Sequence, residues 1–422
     1  MIFQFSIQNY KSIYRRLTLS FIAETLKQHE DTNLINTEFN KISLLKTLAL
    51  YGANASGKTN LIKGLSFMRD FILNSALQYQ PNRTIEVEAY KLLLKSQNEP
   101  SQFEIDFIVN NQRYKYGFIV NKTTILREYL YLVQKTTEKL YFERNEGEIE
   151  LGTSFSEGYG KNKFVRPTSL FLSILAQLNG TISSQIIGWF TNLTIITETN
   201  YPSFTGYTAK LLEKKKHNEF LLTVFRAAGL EFEGVEVKTV NIDENLMQFL
   251  SLELKELVRK NSPEQFQIFT RHKVFDLNGQ ETGIIDFDLK EESAGTQKFF
   301  AIAGPIINSL QNGNPIVIDE LDARLHFKLV YFLVNLYCSS KFNPHGGQLV
   351  FSNHMLDLMD RKLLRRDQIL LISKTKLGTE LTSIHKEGAR SDKSFKSDYL
   401  KGEFGGVPDI ELNQLDLFED YI

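Results

Sequence analysis

The chain has 422 residues, enough for a large hydrophobic core and for about two or three domains. Its 49 lysines and arginines nearly balance 50 aspartates and glutamates, which excludes a strong overall positive field for attracting nucleic acid. The single cysteine, Cys338, excludes an intrachain disulfide and a cysteine-based zinc site, and is typical of a cytoplasmic protein. The sequence has no apolar run of about eighteen residues, so it predicts no membrane span.

The chain starts with two predicted strands that flank a polar turn. Phe3, Phe5 and Ile7 alternate with polar residues, which is typical of a strand and not of a secretory signal. A second strand is predicted at 17–21. The same alternation returns between 102 and 144, interrupted by short polar turns. These patterns together predict an antiparallel β subdomain in the N-terminal part of the chain.

A glycine-rich motif lies between these two β regions. Its residues, Gly52-Ala53-Asn54-Ala55-Ser56-Gly57-Lys58-Thr59, have the pattern G-x-x-x-x-G-K-T, with a strand-like run before it and helical spacing after it. Glycines allow backbone N–H groups to face phosphates, and the N-terminus of the following helix attracts the same anion. The motif therefore predicts that Lys58 holds the β- and γ-phosphates of ATP and that Thr59 binds Mg²⁺.

The middle of the chain changes to helical spacing at 168–229, and a further helix is predicted at 243–260. No heptad pattern is sustained, so a long coiled-coil arm is not predicted. We interpret 166–262 as a compact helical insertion that recognises a trigger or partner, because nucleotide chemistry does not require it. The segment 1–165 is then an N-terminal lobe with the phosphate loop, and 263–422 a C-terminal lobe.

In the C-terminal lobe, strand and helix patterns alternate from residue 283, which predicts a parallel sheet covered by helices. One of the strands is the apolar run at 315–318, which ends in Asp319 and Glu320. An aspartate there can hold Mg²⁺ through water, and the next glutamate can orient or deprotonate the attacking water. Taken alone, the pair is also typical of a solvated strand end. Together with the phosphate loop it predicts a catalytic carboxylate.

Two further motifs flank this carboxylate pair in the sequence. Ser293 and Gly295 open an apolar helix and match the serine and one glycine of the pattern L-S-G-G-Q. Such a helix N-terminus can hold a γ-phosphate, although an ordinary N-cap also explains the stretch. His354 follows an apolar strand, where a histidine can hydrogen-bond the γ-phosphate and sense its loss.

The order of these motifs resembles the ABC-type ATPase heads of the SMC, RecF and OLD group. More narrowly, the chain resembles the stand-alone ATPases of bacterial anti-phage operons, such as AbiL, RloA and the AriA subunit of PARIS. The segments that carry this narrower resemblance are 5–12, 292–297, 319–326, 364–369 and 399–408. The resemblance implies an α/β fold, an ABC-type P-loop ATPase head with a mixed, partly parallel sheet, an N-terminal antiparallel β subdomain and a compact helical insertion.

The resemblance also implies how ATP and Mg²⁺ are bound. Two chains would face each other as a homodimer or a larger oligomer, and each ATP would lie between the phosphate loop of one chain and Ser293 and Gly295 of the other. Asn9 and Lys11 are expected to reach the nucleotide from the N-terminal turn. The phosphate-loop residues expected to bind ATP are Gly52, Asn54, Ser56, Gly57, Lys58, Thr59 and Asn60.

In the same arrangement, Thr59 and Asp319 are expected to hold Mg²⁺. Glu320, His354 and Lys58 are the expected catalytic residues for hydrolysis of ATP to ADP and phosphate. L-S-G-G-Q is the signature motif of ABC-type ATPases, and the departures from it at 292–296 leave the hydrolysis rate open. Heads of this kind can be slow switches in which binding of ATP, and not its turnover, gives the signal.

Three functions remain open. The first is an ATP-hydrolysing sensor and scaffold that controls an operon-encoded toxin or nuclease in abortive infection. The second is a RecF-like repair ATPase, in which basic clusters such as Arg15-Arg16 or Arg365-Arg366 would contact DNA or RNA phosphates, although such clusters are usually solvated surface. The third is a nucleotide-locked interaction module with negligible hydrolysis. Few residues follow His354, so no intrinsic nuclease is expected.

Overall fold

The computed structural model describes residues 1–78, 84–135, 137–213, 215–230, 232–240, 265–390 and 393–404. The strands are β1 (Ile2–Gln8), β2 (Leu17–Ser20), β3 (Leu34–Asn36), β4 (Ser43–Leu45), β5 (Thr47–Tyr51), β6 (Ser101–Val109), β7 (Gln112–Val120), β8 (Ile125–Gln134), β9 (Thr137–Asn145), β10 (Glu148–Leu151), β11 (Thr194–Ile196), β12 (Gly234–Val240), β13 (Gln265–Phe275), β14 (Glu281–Asp288), β15 (Ile316–Ile318), β16 (Leu349–Ser352), β17 (Ile369–Thr375) and β18 (Gly378–Ser383). The helices are α1 (Glu30–Asn33), α2 (Lys58–Gln78), α3 (Phe171–Gln177), α4 (Thr181–Asn192), α5 (Phe204–Glu213), α6 (Lys215–Ala227), α7 (Ala294–Asn312), α8 (Phe327–Cys338) and α9 (Phe395–Leu400).

A six-stranded sheet with the order β11-β15-β16-β5-β17-β18 forms the centre of the fold. The first five strands run parallel, and β18 returns antiparallel to β17. Every residue of β5, β15 and β16 is buried, because the sheet is covered on both faces. Strands in this position read as continuous apolar runs instead of alternating ones, which explains why the sequence at β15 has no polar face.

The two faces of this sheet pack into two different hydrophobic cores. Leu48 and Leu50 of β5 point into a core shared with α2 and the antiparallel sheet. Ala49 and Tyr51, one residue out of phase, point into a second core built with α7 and α8. The alternation of side chains along a strand thus connects the two hydrophobic cores through one central sheet.

A seven-stranded antiparallel sheet with the order β10-β9-β8-β7-β6-β1-β2 covers the first core. The N-terminal strand β1 pairs with β6, so both β regions predicted from the sequence belong to one sheet. The N-terminal antiparallel β subdomain and the mixed α/β class are confirmed. Helix α4 packs on this sheet, where the rings of Trp189 and Phe107 lie 4.4 Å apart between centroids.

The segment 166–262, which we predicted to be a helical insertion, packs into both hydrophobic cores over its described part. Its strand β11 pairs in parallel with β15 and so extends the central sheet. Helix α5 contacts α7, where the Thr208 hydroxyl donates to the Ala301 carbonyl over 3.1 Å. The helix predicted at 243–260 lies outside the described residues, and the division into three domains stays a prediction. Among the described residues, no helix is long and apolar enough to cross a bilayer.

Arg365 connects the start of the chain to its C-terminal part. The side chain is 0% exposed and forms a bidentate pair with Asp367, with distances of 2.9 and 2.8 Å. It also donates to the carbonyls of Glu24, Leu26 and Gln28. This arginine therefore stabilises the fold and is not part of a solvated basic surface.

We expect Arg365→Met to lower the free energy of unfolding by about 3–5 kcal/mol, because Asp367 would remain buried without its partner. Thermal denaturation measures the effect as a lower apparent melting temperature. Lys362→Met is the matched control, since Lys362 is exposed in the same loop. Equal melting temperatures for the two variants would contradict this role of Arg365.

Candidate nucleotide-binding site

The candidate site lies at the carboxyl edge of the central parallel strands. β5 leads into the phosphate loop, β16 lies beside β5 and leads into His354, and β15 lies beside β16 and leads into Asp319 and Glu320. Neighbouring parallel strands end at the same edge of a sheet, so segments far apart in the sequence converge there. The charges of Asp319 and Glu320 accordingly act on Lys58.

The phosphate loop has a backbone that requires its two glycines. Gly52 has φ 152° and Gly57 has φ 115°, a region that residues with a Cβ rarely adopt. A Cβ on Gly57 would lie 2.1 Å from the Thr379 hydroxyl oxygen, and one on Gly52 would lie 2.1 Å from the Ile372 carbonyl oxygen. Helix α2 begins at Lys58, so its N-terminus stands directly behind the loop.

Two polar groups of this loop, the Lys58 amine and the Ser56 hydroxyl, are suited to bind a phosphate. The Lys58 amine donates to the carbonyls of Gly52 and Ala53 over 2.7 and 3.1 Å. Burial lowers the pKa of Lys58, and the carboxylates of Asp319, Glu320 and Asp322 oppose that shift. The Ser56 hydroxyl is buried and has no hydrogen-bond partner among the described residues. An unpaired buried hydroxyl costs about 1–3 kcal/mol, which a phosphate oxygen would offset.

Ser352, the last residue of β16, orients both carboxylate residues at the end of β15. Its hydroxyl donates to Asp319 Oδ1 over 2.5 Å and accepts the Glu320 N–H over 2.7 Å. Asp319 is buried, whereas Glu320 is partly exposed. The sequence analysis missed Ser352, although a polar residue at the end of a buried apolar strand is the signal that would have found it.

The hydroxyl of Thr59 and the carboxylate of Asp319 fit a Mg²⁺ ion that is bound together with a nucleotide. Within the described ranges, no group of three or more His, Cys, Asp or Glu side chains could hold a metal ion. Mg²⁺ keeps several waters and takes phosphate oxygens as ligands, so one hydroxyl and one carboxylate suffice. Thr59 and Asp319 are the residues that would provide these two ligands.

A hydrogen bond links His354 to the side chain of Asp322, in the loop after Glu320. The His354 N–H donates to Asp322 Oδ2 over 2.8 Å, while the second oxygen of Asp322 is buried without a partner among the described residues. The imidazole of His354 is exposed at the sheet edge. Asn353 is buried and donates to the Tyr51 hydroxyl over 3.2 Å, which fixes the direction in which the chain leaves β16.

Ser293 and Gly295 form the turn that starts α7, and we call this turn the signature turn and α7 the signature helix. The Ser293 hydroxyl caps the helix by accepting the Thr296 N–H over 3.1 Å, and the residue is exposed. A Cβ on Gly295 would lie 2.6 Å from the Arg324 carbonyl oxygen, so this turn packs against the loop after Glu320. The structure thus joins the signature turn to the loop 320–324 of the same chain, which we call the carboxylate loop.

The two N-terminal candidates have partners within the protein. Asn9 is 2% exposed, and its amide donates to the carbonyls of Ser96, Glu99 and Pro100 while its oxygen accepts the Tyr90 N–H. These contacts give Asn9 a structural role and leave it no N–H for a nucleotide. The Lys11 amine forms an ion pair with Glu88, which lowers the pKa of that carboxyl group. The contact of Lys11 with a nucleotide stays a prediction, since an ammonium group with three N–H donors can keep this pair and bind a second anion.

Thr379 of β18 supports the phosphate loop through a hydrogen bond to its backbone. Its hydroxyl donates to the Ser56 carbonyl over 3.0 Å and lies 2.8 Å from the Ser12 hydroxyl. Ser12 in turn accepts a hydrogen bond from Asn60 over 2.8 Å. The side-chain amide of Asn60 therefore donates a hydrogen bond to another residue of the protein. Thr379 lies in an antiparallel hairpin far along the sequence, and no sequence signal identified it.

The family model described as "AAA domain, putative AbiEii toxin, Type IV TA system" matches residues 48–360 of this chain. Among solved structures, the chain is similar to the SMC head bound to the C-winged helix domain of ScpA, with 12% identity, 90% of this chain and 97% of that chain covered, and a TM-score of 0.44. It is also similar to the SMC head domain from Thermotoga maritima, with 12% identity, 90% and 98% covered, and a TM-score of 0.39. No curated protein matches the chain.

We expect Thr379→Val to weaken ATP binding about tenfold, because the Ser56 carbonyl and the Ser12 hydroxyl would both lose a partner beneath the loop. Titration with a fluorescent ATP analogue measures this affinity. Thr375→Val is the matched control, since the Thr375 hydroxyl lies in the same hairpin and donates to the Gly378 carbonyl. If both variants bind as tightly as the parent protein, Thr379 does not support the loop.

Proposed function

We propose that this chain, which belongs to the family described as "AAA domain, putative AbiEii toxin, Type IV TA system", is an ATP-driven switch that controls a partner effector in anti-phage defence. Family membership makes it a P-loop ATPase. The dimer, the effector and the defence role are the proposal. The convergence of the phosphate loop, Asp319-Glu320 and His354 at one edge of the central sheet supports the ATP-driven part of this proposal. The family description, which names a putative toxin, supports the defence part.

In this proposal the phosphate loop binds the triphosphate of ATP. Lys58 would leave the carbonyls of Gly52 and Ala53 and bind the β- and γ-phosphates, while the free hydroxyl of Ser56 gains an acceptor. Approach of the phosphates favours the charged form of the Lys58 amine, because opposite charges offset the cost of its burial. Mg²⁺, held by Thr59 and Asp319, would neutralise charge that develops on the phosphates.

Glu320 is the proposed catalytic carboxylate. Its backbone N–H is fixed by Ser352, and its side chain is partly exposed at the edge where the γ-phosphate would lie. A carboxylate in that position can orient or deprotonate the attacking water. His354, exposed beside it, can donate a hydrogen bond to the γ-phosphate and lose that bond after hydrolysis.

The exposure of the signature turn supports the dimer that we propose. Ser293 and Gly295 lie at the N-terminus of a 19-residue helix, where backbone N–H groups favour an anion. We propose that a second copy presents this turn to the γ-phosphate held by Lys58. Each site is then complete only when two chains meet, so ATP itself becomes the ligand that favours the closed dimer.

We expect Lys58→Ala to abolish detectable ATP binding, because the charge at the β- and γ-phosphates is lost. Glu320→Gln should bind ATP within about twofold of the parent protein and accumulate as a dimer with ATP, because binding is retained while water activation is lost. Analytical ultracentrifugation with and without ATP, together with phosphate release, measures both effects. Parental turnover by Glu320→Gln would show that Glu320 is not the catalytic carboxylate. A parent protein that binds ATP without turnover would favour the nucleotide-locked module.

Co-purification tests the effector part of the proposal. We expect tagged Glu320→Gln, expressed together with its neighbouring genes, to retain a second protein in stoichiometric amount, and Lys58→Ala to retain less of it. Mass spectrometry and sizing identify the complex. A lone dimer that carries nucleic acid would instead support a RecF-like repair ATPase.

A further inference from the structure

A buried lysine connects the signature helix to the carboxylate loop. Lys298, in the first turns of α7, is 1% exposed. Its amine donates to the carbonyl oxygen of Glu320 over 2.8 Å and lies 3.3 Å from Glu198 Oε2. Burial lowers the pKa of Lys298, and Glu198 opposes that shift. Burying a lysine costs several kcal/mol unless its partners are well placed, so packing alone is a weak reason for a charge here.

The backbone that Lys298 contacts is strained. Glu320 has φ 50°, the left-handed region in which a residue other than glycine costs about 1–3 kcal/mol unless its surroundings hold it. Three hydrogen bonds hold this residue. Ser352 accepts its N–H, and its carbonyl accepts from the Lys298 amine and from the Ala323 N–H over 3.0 Å. The position of the Glu320 peptide is therefore set by one contact from the central sheet, one from the signature helix and one from within its own loop.

Glu198 extends this connection to the loop that follows Glu320. It lies just after β11 and pairs with both Lys298 and Arg324, the latter over 3.0 Å. Arg324 also donates to the Tyr201 hydroxyl over 3.1 Å, and its carbonyl lies against Gly295. A displacement of α7 would therefore change contacts at both ends of the loop from Glu320 to Arg324.

We propose that Lys298 is a positioning residue that transmits the position of the signature helix to Glu320 in the same chain. This inference rests on the proposed function, since it assigns a consequence to occupation of the signature turn. An anion bound at Ser293 pulls on the N-terminus of α7, and Lys298 moves with the helix. The Glu320 peptide follows, so the carboxylate is aligned for water only while the signature turn of its own chain is engaged.

The test compares two buried lysines. Lys298→Met keeps the apolar stem and removes the amine. Lys46→Met is the matched control, because Lys46 is 4% exposed and its amine also donates to a backbone carbonyl, that of Thr32, over 2.6 Å. Hydrogen–deuterium exchange without nucleotide measures how well the backbone amides at 320–324 are protected. Steady-state kinetics measures kcat and the KM for ATP.

For Lys298→Met we expect exchange at 320–324 to become about tenfold faster, because the only hydrogen bond that the signature helix makes to the Glu320 carbonyl in the described structure is lost. We expect kcat to fall about tenfold or more with KM for ATP within about twofold, because ground-state binding does not use Lys298. Lys46→Met should leave all three quantities at the parental values. Should Lys298→Met fold poorly, Glu198→Ala removes the counter-charge from a partly exposed position and should lower kcat with KM retained.

The possible failures are distinguishable. Unchanged exchange at 320–324 in Lys298→Met overturns the inference whatever the turnover, and so does an equal fall in kcat for Lys46→Met. Absence of turnover in the parent protein overturns the proposed hydrolysis, and the exchange measurement then decides the positioning of Glu320 by itself.

Discussion

The parallel pairing of β5, β16 and β15 is the constraint on which the candidate site depends, because it determines where three distant segments of the chain end. Val350 lies beside Leu48 on one side and Val317 on the other, so the carboxyl ends of the strands are level. A shift of one residue in this register would turn every side chain of a strand to the opposite face. The two hydrophobic cores on either side of the sheet prevent such a shift, since each accepts only its own set of side chains.

Hydrogen bonds from neighbouring elements then orient the groups at this edge. Ser352 acts on both carboxylate residues, Thr379 supports the phosphate loop, and Lys298 holds the Glu320 carbonyl. Each of these side chains is buried, where a hydrogen bond is stronger and an unpaired polar group is costly. Of the four buried side-chain polar atoms without a partner among the described residues, two, Ser56 Oγ and Asp322 Oδ1, lie in the loops that border the candidate site. The Ser56 hydroxyl is the one of these two that can donate to a phosphate oxygen.

The segment 166–262, which we expected to recognise a partner, packs against the signature helix over its described part. Helix α5 contacts α7 through Thr208, and the Phe225 ring of α6 stacks on Phe300 of α7 at 5.5 Å between centroids. The signature helix therefore packs against the helices of the proposed recognition segment as well as against the carboxylate loop. In the proposed switch, this packing supplies a physical connection between a partner bound to those helices and the hydrolysis of ATP.

The sequence by itself determined the phosphate loop, the carboxylate pair and the strand–helix alternation around them, because glycine geometry, charge at strand ends and apolar periodicity are local properties. It also indicated both β regions of the N-terminal part. It could not show that β1 and β2 join the later meander, that Asn9 is used within the protein, or that Arg365 is buried. Nor could it find Thr379 and Lys298 as neighbours of the candidate site. Those facts depend on which strands pair and which helices pack together, and only the tertiary structure decides which polar groups are buried beside one another.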